Sequence, residues 1–424
     1  MIKKCKRFGG EIYAPPSKAY THRTTVAALL SGGVSKILNP LASYDTEATL
    51  KAIEAFGAEV KLDESCWTIN GISTFKVPQK PIDCRESGAT LRFMIPVSAL
   101  SPGPSTFTLG LSLSRRPLQP LLEGLKQLGV ESRLQQCEKG SIVKVHGGGI
   151  KGGKASIRGD VSSQFISGLL FACPRAEEDT EILVTTPLES RSYIQMTLEV
   201  LEKHGIRAYA YNDFMQLRVP SNQNYSPCDH TVPGDFSSTS FLLAASAITC
   251  SKTKVKNLDH RTTQGDRAIL DILTKMGSKV RIEDKDIEIE GRQLNAVDVD
   301  AKDIPDLVPV CAALACYSKG TSKLYDARRL RYKESDRLSS LYTELKKMGA
   351  HIKMIEDGLI IRGQSPLHGA TINPHNDHRI AMACAVAALG ASGETRIENS
   401  ECVRKSYPNF FDDLRLLGAD VVGR

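Results

Sequence analysis

One short phrase recurs six times along this chain: an amphipathic, helix-like run, then a glycine, then a strand-like run. The six glycines are Gly57, Gly129, Gly205, Gly277, Gly349 and Gly418. The gaps between them are 72, 76, 72, 72 and 69 residues. A glycine just after a helix readily takes the left-handed conformation that ends it. Since such a period is typical of repeat architectures, the 424-residue chain is predicted to hold six copies of one α/β unit.

Each copy carries a second, more apolar helix-like run ahead of that phrase. Runs such as FLLAASAI and AMACAVAAL are apolar on nearly every face, which is typical of helices inside a core. The predicted buried helices span residues 24–31, 89–100, 163–173, 238–248, 306–317 and 378–389. The other helices, such as LSSLYTELKKM, alternate apolar and charged faces. Predicted strands include EILVTTP, MQLRVP, SKVRIED, DIEIEG, GLIIRG and TRIEN.

The length of the chain favours two domains, because a single hydrophobic core seldom serves so many residues. Six units divide most simply as three plus three. The polar stretch from Pro220 to Pro233 holds three prolines and is predicted to be a linker. A second crossover near residues 14–17 would place the first strand with the C-terminal half.

The composition is that of an ordinary soluble protein, with 41% hydrophobic and 24% charged residues. The N-terminal residues show no secretory signal, and the longest apolar runs are about half a membrane span. The eleven cysteines form no CxxC pair and no zinc-type spacing, so we expect free thiols in a reducing cytoplasm. The net charge of +7 favours anionic ligands without choosing between nucleic acid and small phosphates.

Polar residues gather at or just before the start of each predicted buried helix. Ser, Asp, Asn and Gly at such points are expected as N-caps. Capping does not explain the Lys and Arg, which the helix dipole disfavours there. Helix starts that offer both amides and cations suit a phosphate or carboxylate. The six groups are Pro16-Ser17-Lys18 with Arg23, Glu86 to Arg92, Ser162-Ser163-Gln164, Asp235 to Ser238, Asp303 to Asp306, and Asn376 to Arg379.

The segment from Arg331 to Arg337 is the densest cluster of charge. If it is helical, Lys333 and Arg337 lie on one face, where two like charges are unfavourable unless an anion lies between them. Glu334 would then be held against cations and could change its protonation state as substrates bind. The alternative is a solvated charged face. The same alternative applies to Arg404 and Lys405.

The segment GGIKGGKA, residues 148–155, nearly fits the phosphate loop of nucleotide hydrolases. Ala155 stands where that loop needs Ser or Thr to bind magnesium, and the sequence that follows indicates a strand and a turn instead of a helix. We expect a mobile hairpin here.

Taken together, these motifs resemble the 5-enolpyruvylshikimate-3-phosphate synthase (3-phosphoshikimate 1-carboxyvinyltransferase) family, over essentially the whole chain. The resemblance implies an α/β protein of two domains, each with three βαβαββ units in pseudo-three-fold symmetry (an inside-out α/β barrel), with the active site in the cleft between domains. The implied domains are residues 15–229, and residues 1–14 with 230–424. The motifs are Pro16-Ser17-Lys18, Ser87-Gly88, Leu91-Arg92, Arg116-Pro117, Ser162-Ser163-Gln164, Tyr332 to Arg337, Asn376 to Arg379, and Lys405 to Pro408.

The family transfers the carboxyvinyl group of phosphoenolpyruvate to the 5-hydroxyl of shikimate-3-phosphate and releases phosphate. The resemblance therefore implies a transferase of the shikimate pathway, which leads to chorismate and the aromatic amino acids, with no metal and no organic cofactor. Both substrates are anions, which accounts for the cations at the helix starts. We expect a cytoplasmic monomer that binds these two small molecules and neither nucleic acid nor membrane.

The resemblance also implies roles for individual residues. Asp306 would take the proton of the attacking hydroxyl, Glu334 would protonate the methylene carbon and later remove a proton, and Lys18 would act with them. The residues implied to bind shikimate-3-phosphate are Lys18, Ala19, Arg23, Ser162, Ser163, Gln164, Ser190, Tyr193, Asp306 and Lys333. Those implied to bind phosphoenolpyruvate are Lys18, Gly88, Arg116, Gln164, Arg337, Arg379 and Lys405.

Three positions depart from the family pattern: Ala19 replaces a usual Ser, Ala89 a common Thr, and Arg329 an Asn that often contacts the substrate. Ala89 leaves the response to the herbicide glyphosate open. The nearest alternative is the sister enzyme acting on UDP-N-acetylglucosamine, which typically has a Cys in the loop before the Arg-Pro pair; residues 110–115 contain none. The other alternative, a non-catalytic RNA- or phosphate-binding protein, is disfavoured by the 6% aromatic content.

Overall fold

The computed structural model describes residues 1–5, 7–138 and 140–423. The chain forms two compact units. The N-terminal unit is Lys18–Val232, and the C-terminal unit combines Met1–Ser17 with Pro233–Arg424. Within the described ranges, no helix has the length and apolar character needed to cross a bilayer.

Helices and strands alternate along both units. The helices are α1 Lys18–Leu30, α2 Tyr44–Ala55, α3 Gly88–Ser98, α4 Leu111–Ser114, α5 Gln119–Gln127, α6 Ser163–Ala172, α7 Arg191–Lys203, α8 Phe236–Ile248, α9 Ile269–Lys275, α10 Val308–Tyr317, α11 Arg337–Lys347, α12 His378–Ala388 and α13 Phe410–Leu416. Short 3-10 helices span Cys173–Arg175, Gly265–Ala268, Pro305–Leu307, Arg328–Tyr332 and Ser400–Lys405.

The strands are short, mostly of two to five residues. They are β1 Ile2–Lys3, β2 Gly9–Tyr13, β3 Val34–Leu38, β4 Glu59–Leu62, β5 Cys66–Asn70, β6 Ile82–Asp83, β7 Ser105–Leu109, β8 Ser132–Cys137, β9 Gly140–Val145, β10 Gly153–Ile157, β11 Thr180–Val184, β12 Tyr209–Tyr211, β13 Gln216–Val219, β14 His230–Thr231, β15 Lys252–Lys256, β16 Lys279–Glu283, β17 Asp286–Glu290, β18 Val299–Asp300, β19 Thr321–Tyr325, β20 His351–Ile355, β21 Gly358–Arg362, β22 Thr371–Ile372 and β23 Glu394–Ile397.

These strands form six small sheets, five of four strands and one of three, and none closes into a barrel among the described residues. In β6-β7-β9-β8, for example, β6 and β7 are parallel, whereas β9 is antiparallel to both β7 and β8. The sheet β10-β11-β13-β12 repeats this arrangement. Five of the six units are therefore βαβαββ, as expected, whereas the sixth forms the three-stranded sheet β1-β23-β22 among the described residues. The α/β class is confirmed.

Two strands complete sheets far from them in sequence. The N-terminal strand β2 pairs in parallel with β15, and β14 pairs in parallel with β3. The expected crossover of the first strand is thus confirmed. The chain changes unit three residues later than the predicted boundaries, because Ser17 N donates to Pro233 O at 2.8 Å and Asp235 N donates to Pro15 O at 2.8 Å. Residues 15–17 therefore lie in the C-terminal unit and residues 230–232 in the N-terminal unit.

Most of the predicted linker is part of the N-terminal unit instead. Tyr225 is buried, and its hydroxyl donates to the carbonyl of Phe171 at 2.7 Å. Gln223 donates to the Arg207 carbonyl and accepts from the Arg207 amide. Three prolines indicated a free segment, but these contacts over long sequence separations attach it to the core.

The predicted buried helices are confirmed: α1, α3 and α6 pack together in the N-terminal unit, and α8, α10 and α12 in the C-terminal unit. The helices α3 and α6 approach closely at Gly168, where a Cβ would lie 2.2 Å from the carbonyl oxygen of Arg92. All six recurring glycines have positive φ, between 77° and 108°, as a C-terminal position in the left-handed region requires.

The hairpin predicted for residues 148–155 is wrong. Gly153 begins β10, which pairs in parallel with β11. The residues before it are fixed by backbone hydrogen bonds from Gly148 to Ser101 and from Gly149 to Ala99. Short polar segments give no local signal for a parallel partner that lies almost thirty residues away.

Candidate active site

The N-terminal unit places predicted site residues at the starts of its three buried helices. Lys18 opens α1, and its ammonium group pairs with the Asp45 carboxylate at 3.1 Å. Ser87 caps α3 by accepting from the Thr90 amide, and Ser162 caps α6 by accepting from the Gln164 amide. The packing of α3 against α6 brings the last two helix starts side by side.

Two arginines converge on Gly88, the first residue of α3. A Cβ at this glycine would lie 3.2 Å from Nη1 of Arg116 and 3.3 Å from Nη1 of Arg92. Arg92 Nη1 donates to Gln164 Oε1 at 2.8 Å and lies 3.5 Å from the Ser162 hydroxyl. We name these five residues the Gly88 cluster. Four of them were predicted site residues; Arg92 was not, although it stood in a quoted motif four residues after Gly88, one helical turn away.

A second group surrounds Arg23, which is 2% exposed. Its guanidinium donates to the backbone carbonyls of Ala19 and Tyr193, each at 2.9 Å, and to the Thr197 hydroxyl. Its terminal carbon lies 5.6 Å from the centre of the Tyr193 ring. Burial lowers the pKa of Arg23 to about 10, so the group is still charged at neutral pH.

The remaining predicted residues of this unit lie at the starts of α6 and α7. Ser163 is buried in the first turn of α6. Ser190 precedes α7 with a left-handed φ of 57°, and its carbonyl accepts from the Tyr193 amide. A non-glycine residue in this conformation is strained, and such residues often occur at functional sites.

In the C-terminal unit, one buried arginine holds three carboxylates. Arg337 is 1% exposed and lies 2.8 Å from Asp306, 2.6 Å from Glu334 and 2.8 Å from Asp377. These neighbours raise its pKa even against the effect of burial, so the guanidinium is permanently charged. The two predicted proton-transfer residues, Asp306 and Glu334, are thereby held on one guanidinium group. We name these four residues the Arg337 cluster.

Arg379 joins this cluster from the start of α12. Its Nη2 lies 3.3 Å from the Asp306 carboxylate and donates to the Ser237 hydroxyl at 2.5 Å, while Nη1 donates to the Asp306 carbonyl. Asp377 caps α12 by accepting from the Arg379 amide. One aspartate therefore fixes both Arg337, through its side chain, and the helix that carries Arg379.

The charge states of Asp306 and Lys333 depend on each other. Burial opposes ionisation of Asp306, but Arg379, Lys333 and Arg337 outweigh it and hold its pKa well below the ordinary value. Burial lowers the pKa of Lys333 to about 8, against the attraction of Asp306 at 3.9 Å. Arg329 lowers it further.

The predicted residue Lys405 and Arg329, a departure from the family pattern, lie at the edge of this group. The ammonium group of Lys405 donates to the Asn376 carbonyl at 2.7 Å, which places it next to the start of α12. Arg329, which replaces a usual Asn, is buried and donates to the Lys302 carbonyl at 2.7 Å.

The helix considered for residues 331–337 does not form. Residues Arg328–Tyr332 form a 3-10 helix, and α11 begins only at Arg337 because the Asp336 side chain caps it by accepting from the Ser339 amide. Lys333 and Arg337 therefore do not share a helix face. Their contact with Asp306 explains the clustered charge better than solvent exposure does.

No group of three or more His, Cys, Asp or Glu side chains is placed to hold a metal ion within the described ranges. The polar side chains of both clusters are instead guanidinium groups, carboxylates, a hydroxyl and an amide. They suit anionic substrates and proton transfer. A fold of six small α/β units, with such clusters at the starts of its buried helices, is that of an α/β transferase of the carboxyvinyltransferase type.

Comparison with known proteins identifies the family. The model of EPSP synthase (3-phosphoshikimate 1-carboxyvinyltransferase) matches residues 2–414. The chain is 42% identical to the 3-phosphoshikimate 1-carboxyvinyltransferase of Methanocaldococcus jannaschii, over 99% of this chain and 98% of the relative. It is 45% identical to that of Methanocella arvoryzae, over 97% of each. A solved EPSP synthase from Acinetobacter baumannii superposes with a TM-score of 0.81 at 26% identity, covering 100% of this chain and 99% of that one. The chain belongs to the EPSP synthase family, and the resemblance noted in the sequence is confirmed.

Proposed function

We propose that this chain transfers the carboxyvinyl group of phosphoenolpyruvate to the 5-hydroxyl of shikimate-3-phosphate and releases phosphate. The observation that carries this function is the pair of carboxylates, Asp306 and Glu334, held on the single guanidinium of Arg337 at 2.8 and 2.6 Å. Adding an alcohol across the double bond of an enol phosphate requires a base at oxygen and an acid at carbon. The Asp306 carboxylate offers the base, and Glu334 offers the acid once it has taken up a proton as the substrates bind.

Asp306 is assigned the proton of the attacking hydroxyl, and Glu334 the protonation of the methylene carbon and the later removal of a proton. In the structure Asp306 is a weak base, because three cations lower its pKa. Substrate anions that bind those cations would weaken this effect and raise the pKa of Asp306. The carboxylate would thus gain basicity only when the substrates are present.

The cations are assigned to the substrate anions. Phosphoenolpyruvate is assigned to Lys18, Gly88, Arg116, Gln164, Arg337, Arg379 and Lys405. Shikimate-3-phosphate is assigned to Lys18, Ala19, Arg23, Ser162, Ser163, Gln164, Ser190, Tyr193, Asp306 and Lys333. The surroundings of Gly88 support the first assignment, since the guanidinium groups of Arg92 and Arg116 both lie close to it. Preorganised cations of this kind stabilise an anionic tetrahedral intermediate.

The assignments at Arg23 and Lys18 have a further requirement. Arg23 already donates to two carbonyls and a hydroxyl, so it would hold a substrate only with the donors that remain or after exchanging a partner. Lys18 would have to leave, or share, its ion pair with Asp45. In both cases a substrate anion would replace a charged or polar partner within the protein.

The test is release of inorganic phosphate from phosphoenolpyruvate by the purified protein. Shikimate-3-phosphate should support release, with 5-enolpyruvylshikimate-3-phosphate as the second product by mass spectrometry. UDP-N-acetylglucosamine should not, because the loop of residues 110–115 has no cysteine. Release with the nucleotide sugar and none with shikimate-3-phosphate would overturn the proposal.

We also propose that the protein acts as a monomer in the cytoplasm. All eleven cysteines are free, and six of them, including Cys84, Cys173 and Cys311, are buried, which raises the pKa of their thiols well above the ordinary value. Such thiols are unreactive and compatible with a reducing compartment. Sedimentation analysis of the purified protein tests the monomer.

A further inference from the structure

A buried carboxyl group lies behind the Arg337 cluster without an assigned role. Asp266 belongs to the 3-10 helix Gly265–Ala268 and is only 4% exposed. Its Oδ2 has no hydrogen-bond partner in the part of the chain that the structure describes. A buried carboxylate oxygen without a donor is unfavourable, so such a group persists only where its surroundings require it.

The segment that carries Asp266 is fastened to the start of α8. The side chain of Gln264 donates to the Gly234 carbonyl at 2.8 Å and accepts from the Phe236 amide at 3.0 Å. These two bonds hold the 3-10 helix against the helix start that carries Ser237. The position of Asp266 relative to Ser237 is therefore fixed by backbone geometry on both sides.

Asp266 reaches Arg379 through Ser237. The Ser237 side chain favours the ionised form of the Asp266 carboxyl group and lowers its pKa, and the Ser237 hydroxyl oxygen accepts from Nη2 of Arg379. A hydroxyl that accepts from a guanidinium has its own proton free to donate to a carboxylate. The chain Asp266–Ser237–Arg379 thus gives Arg379 a second, indirect counter-charge besides Asp306.

We propose that Asp266 is a positioning residue for the transfer reaction: through Ser237 it orients Arg379, and it takes up one proton from solvent when an anionic substrate binds that arginine. The inference rests on the proposed function, which assigns Arg379 to phosphoenolpyruvate. The bound anion supplies the negative charge that the ionised carboxylate had supplied before. Protonation then removes the repulsion between the two.

The groups around Asp266 act on its pKa in opposite directions. Burial raises its pKa, the Asp306 and Asp235 carboxylates raise it further, and Arg379 and Ser237 lower it. The Cys311 thiol faces it from α10 and has a raised pKa. When Arg379 pairs with a substrate anion, its influence on Asp266 falls, and the protonated form is favoured.

The test compares wild type with Asp266→Asn, which keeps the shape and the neutral charge of the protonated acid. The quantity is kcat/KM for phosphoenolpyruvate at saturating shikimate-3-phosphate, from pH 6 to 9. At low pH the kcat/KM of wild type should equal that of the variant. Once Asp266 is ionised in the free protein, the kcat/KM of wild type should fall below that of the variant by up to about tenfold per pH unit. Taking the ratio of the two cancels the titration of the substrate phosphate.

Two further variants separate positioning from folding. Asp266→Ala should raise KM for phosphoenolpyruvate at every pH, because Ser237 loses its partner, and Asn should restore it. Asp271→Asn, an exposed aspartate on α9, should behave as wild type throughout. The kcat/KM for shikimate-3-phosphate should be unchanged in Asp266→Asn.

A spectroscopic measurement needs no variant for its main result. Adding inorganic phosphate and shikimate-3-phosphate to wild type at pH 8 should produce the infrared carbonyl band of a protonated carboxyl group, and Asp266→Asn should lack that band. If wild type turns over but Asp266→Asn keeps the wild-type pH profile, or the band is the same in both, this inference is wrong and the proposed function stands. If wild type does not turn over at all, the proposed function itself fails.

Discussion

At the scale of single residues, Arg337 is the central charge of the candidate site in the C-terminal unit. Three carboxylates surround it, so its removal would leave buried negative charges without compensation, at a cost of roughly 3–5 kcal/mol. Asp377 differs from the other two carboxylates because it is fully buried and also caps α12. We therefore regard Asp377 as holding the site together and Asp306 and Glu334 as available to the reaction.

Replacing Asp306 or Glu334 by Ala should lower kcat by at least about a hundredfold, the usual scale for the loss of a positioned acid or base. Each carboxylate is partly exposed, with 17% and 14% of its side chain accessible, so each can meet a substrate. Shikimate-3-phosphate should still bind, as calorimetry would show. The control is Glu356→Ala, which alters an exposed residue. Wild-type turnover in either site variant would refute the assignment.

Most members of the two clusters stand in motifs that were recognisable in the sequence, and their roles towards substrate stay predictions. The sequence did not predict the roles of Arg92, Asp377 or Asp266 as partners. Arg92 meets Gln164 across 72 positions, and Asp377 meets Arg337 across 40. Contacts of this kind depend on how helices pack, and one sequence carries no local signal for them.

At the scale of elements, the contact between α3 and α6 positions the Gly88 cluster. Gly168→Ala would put a methyl group 2.2 Å from the Arg92 carbonyl, so the two helices must separate. We expect a loss of about 1–3 kcal/mol in unfolding free energy, despite the better helix propensity of Ala. We also expect KM for phosphoenolpyruvate to rise, because Arg92 and Gln164 move apart.

The matched control for this variant is Gly124→Ala, within α5 of the same unit. A Cβ there would lie 3.7 Å from Ile157 and 3.9 Å from Leu169, which are ordinary contacts. Ala should therefore be neutral or stabilise the unit by up to about 1 kcal/mol. The midpoints of urea unfolding measure both effects. Equal midpoints for the two variants would contradict the packing argument.

Elements were predictable where their signals are local. The six glycine caps and the six apolar helices need only the residues of one helix. The segment 331–337 was not predictable in this way, because the Asp336 cap delays the start of α11 to Arg337. The spacing of charges alone cannot distinguish a helix from a capped turn before one.

At the scale of the whole chain, the architecture depends on two strands that pair with strands far from them in sequence. The strand β2 completes a sheet of the C-terminal unit, and β14 completes a sheet of the N-terminal unit. The sequence indicated both crossovers through their prolines, but their positions were three residues in error. Short strands pair through backbone N–H and C=O groups, and every residue carries both except proline, which lacks the N–H, so the composition does not fix where pairing ends.

The crossover strand β14 is held in place by a pair of buried histidines. Nε2 of His230 lies 2.9 Å from Nε2 of His204, whose Nδ1 lies 2.8 Å from the Ser226 carbonyl. A carbonyl only accepts, so Nδ1 of His204 carries the proton and its Nε2 accepts from His230. His204 is therefore neutral, and its protonation would set two N–H groups against each other. Protonation of His230 would instead add a proton at its Nδ1 and bury a cation beside His204.

The N-terminal unit should consequently lose stability as the pH falls. Burial lowers the pKa of His230 to about 4, with His204 and Lys203 lowering it further and Asp229 opposing them. Burial also lowers the pKa of His204. In the unfolded chain these histidines bind a proton near pH 6.5. The stabilisation of the folded unit by the neutral histidines is therefore complete above that pH and is lost as the pH falls towards 4. For His230 alone the loss amounts to at most about 3 kcal/mol.

Replacing His230 with Gln tests this linkage, because the amide can still donate to His204 but does not titrate. Urea midpoints at pH 7 and pH 4.5 should differ less in His230→Gln than in wild type. His146→Gln removes an exposed histidine of the same unit and should keep the wild-type difference. If the His230 variant loses as much stability as wild type over this interval, other groups cause the acid sensitivity, and the crossover strand is not fastened by a neutral imidazole pair.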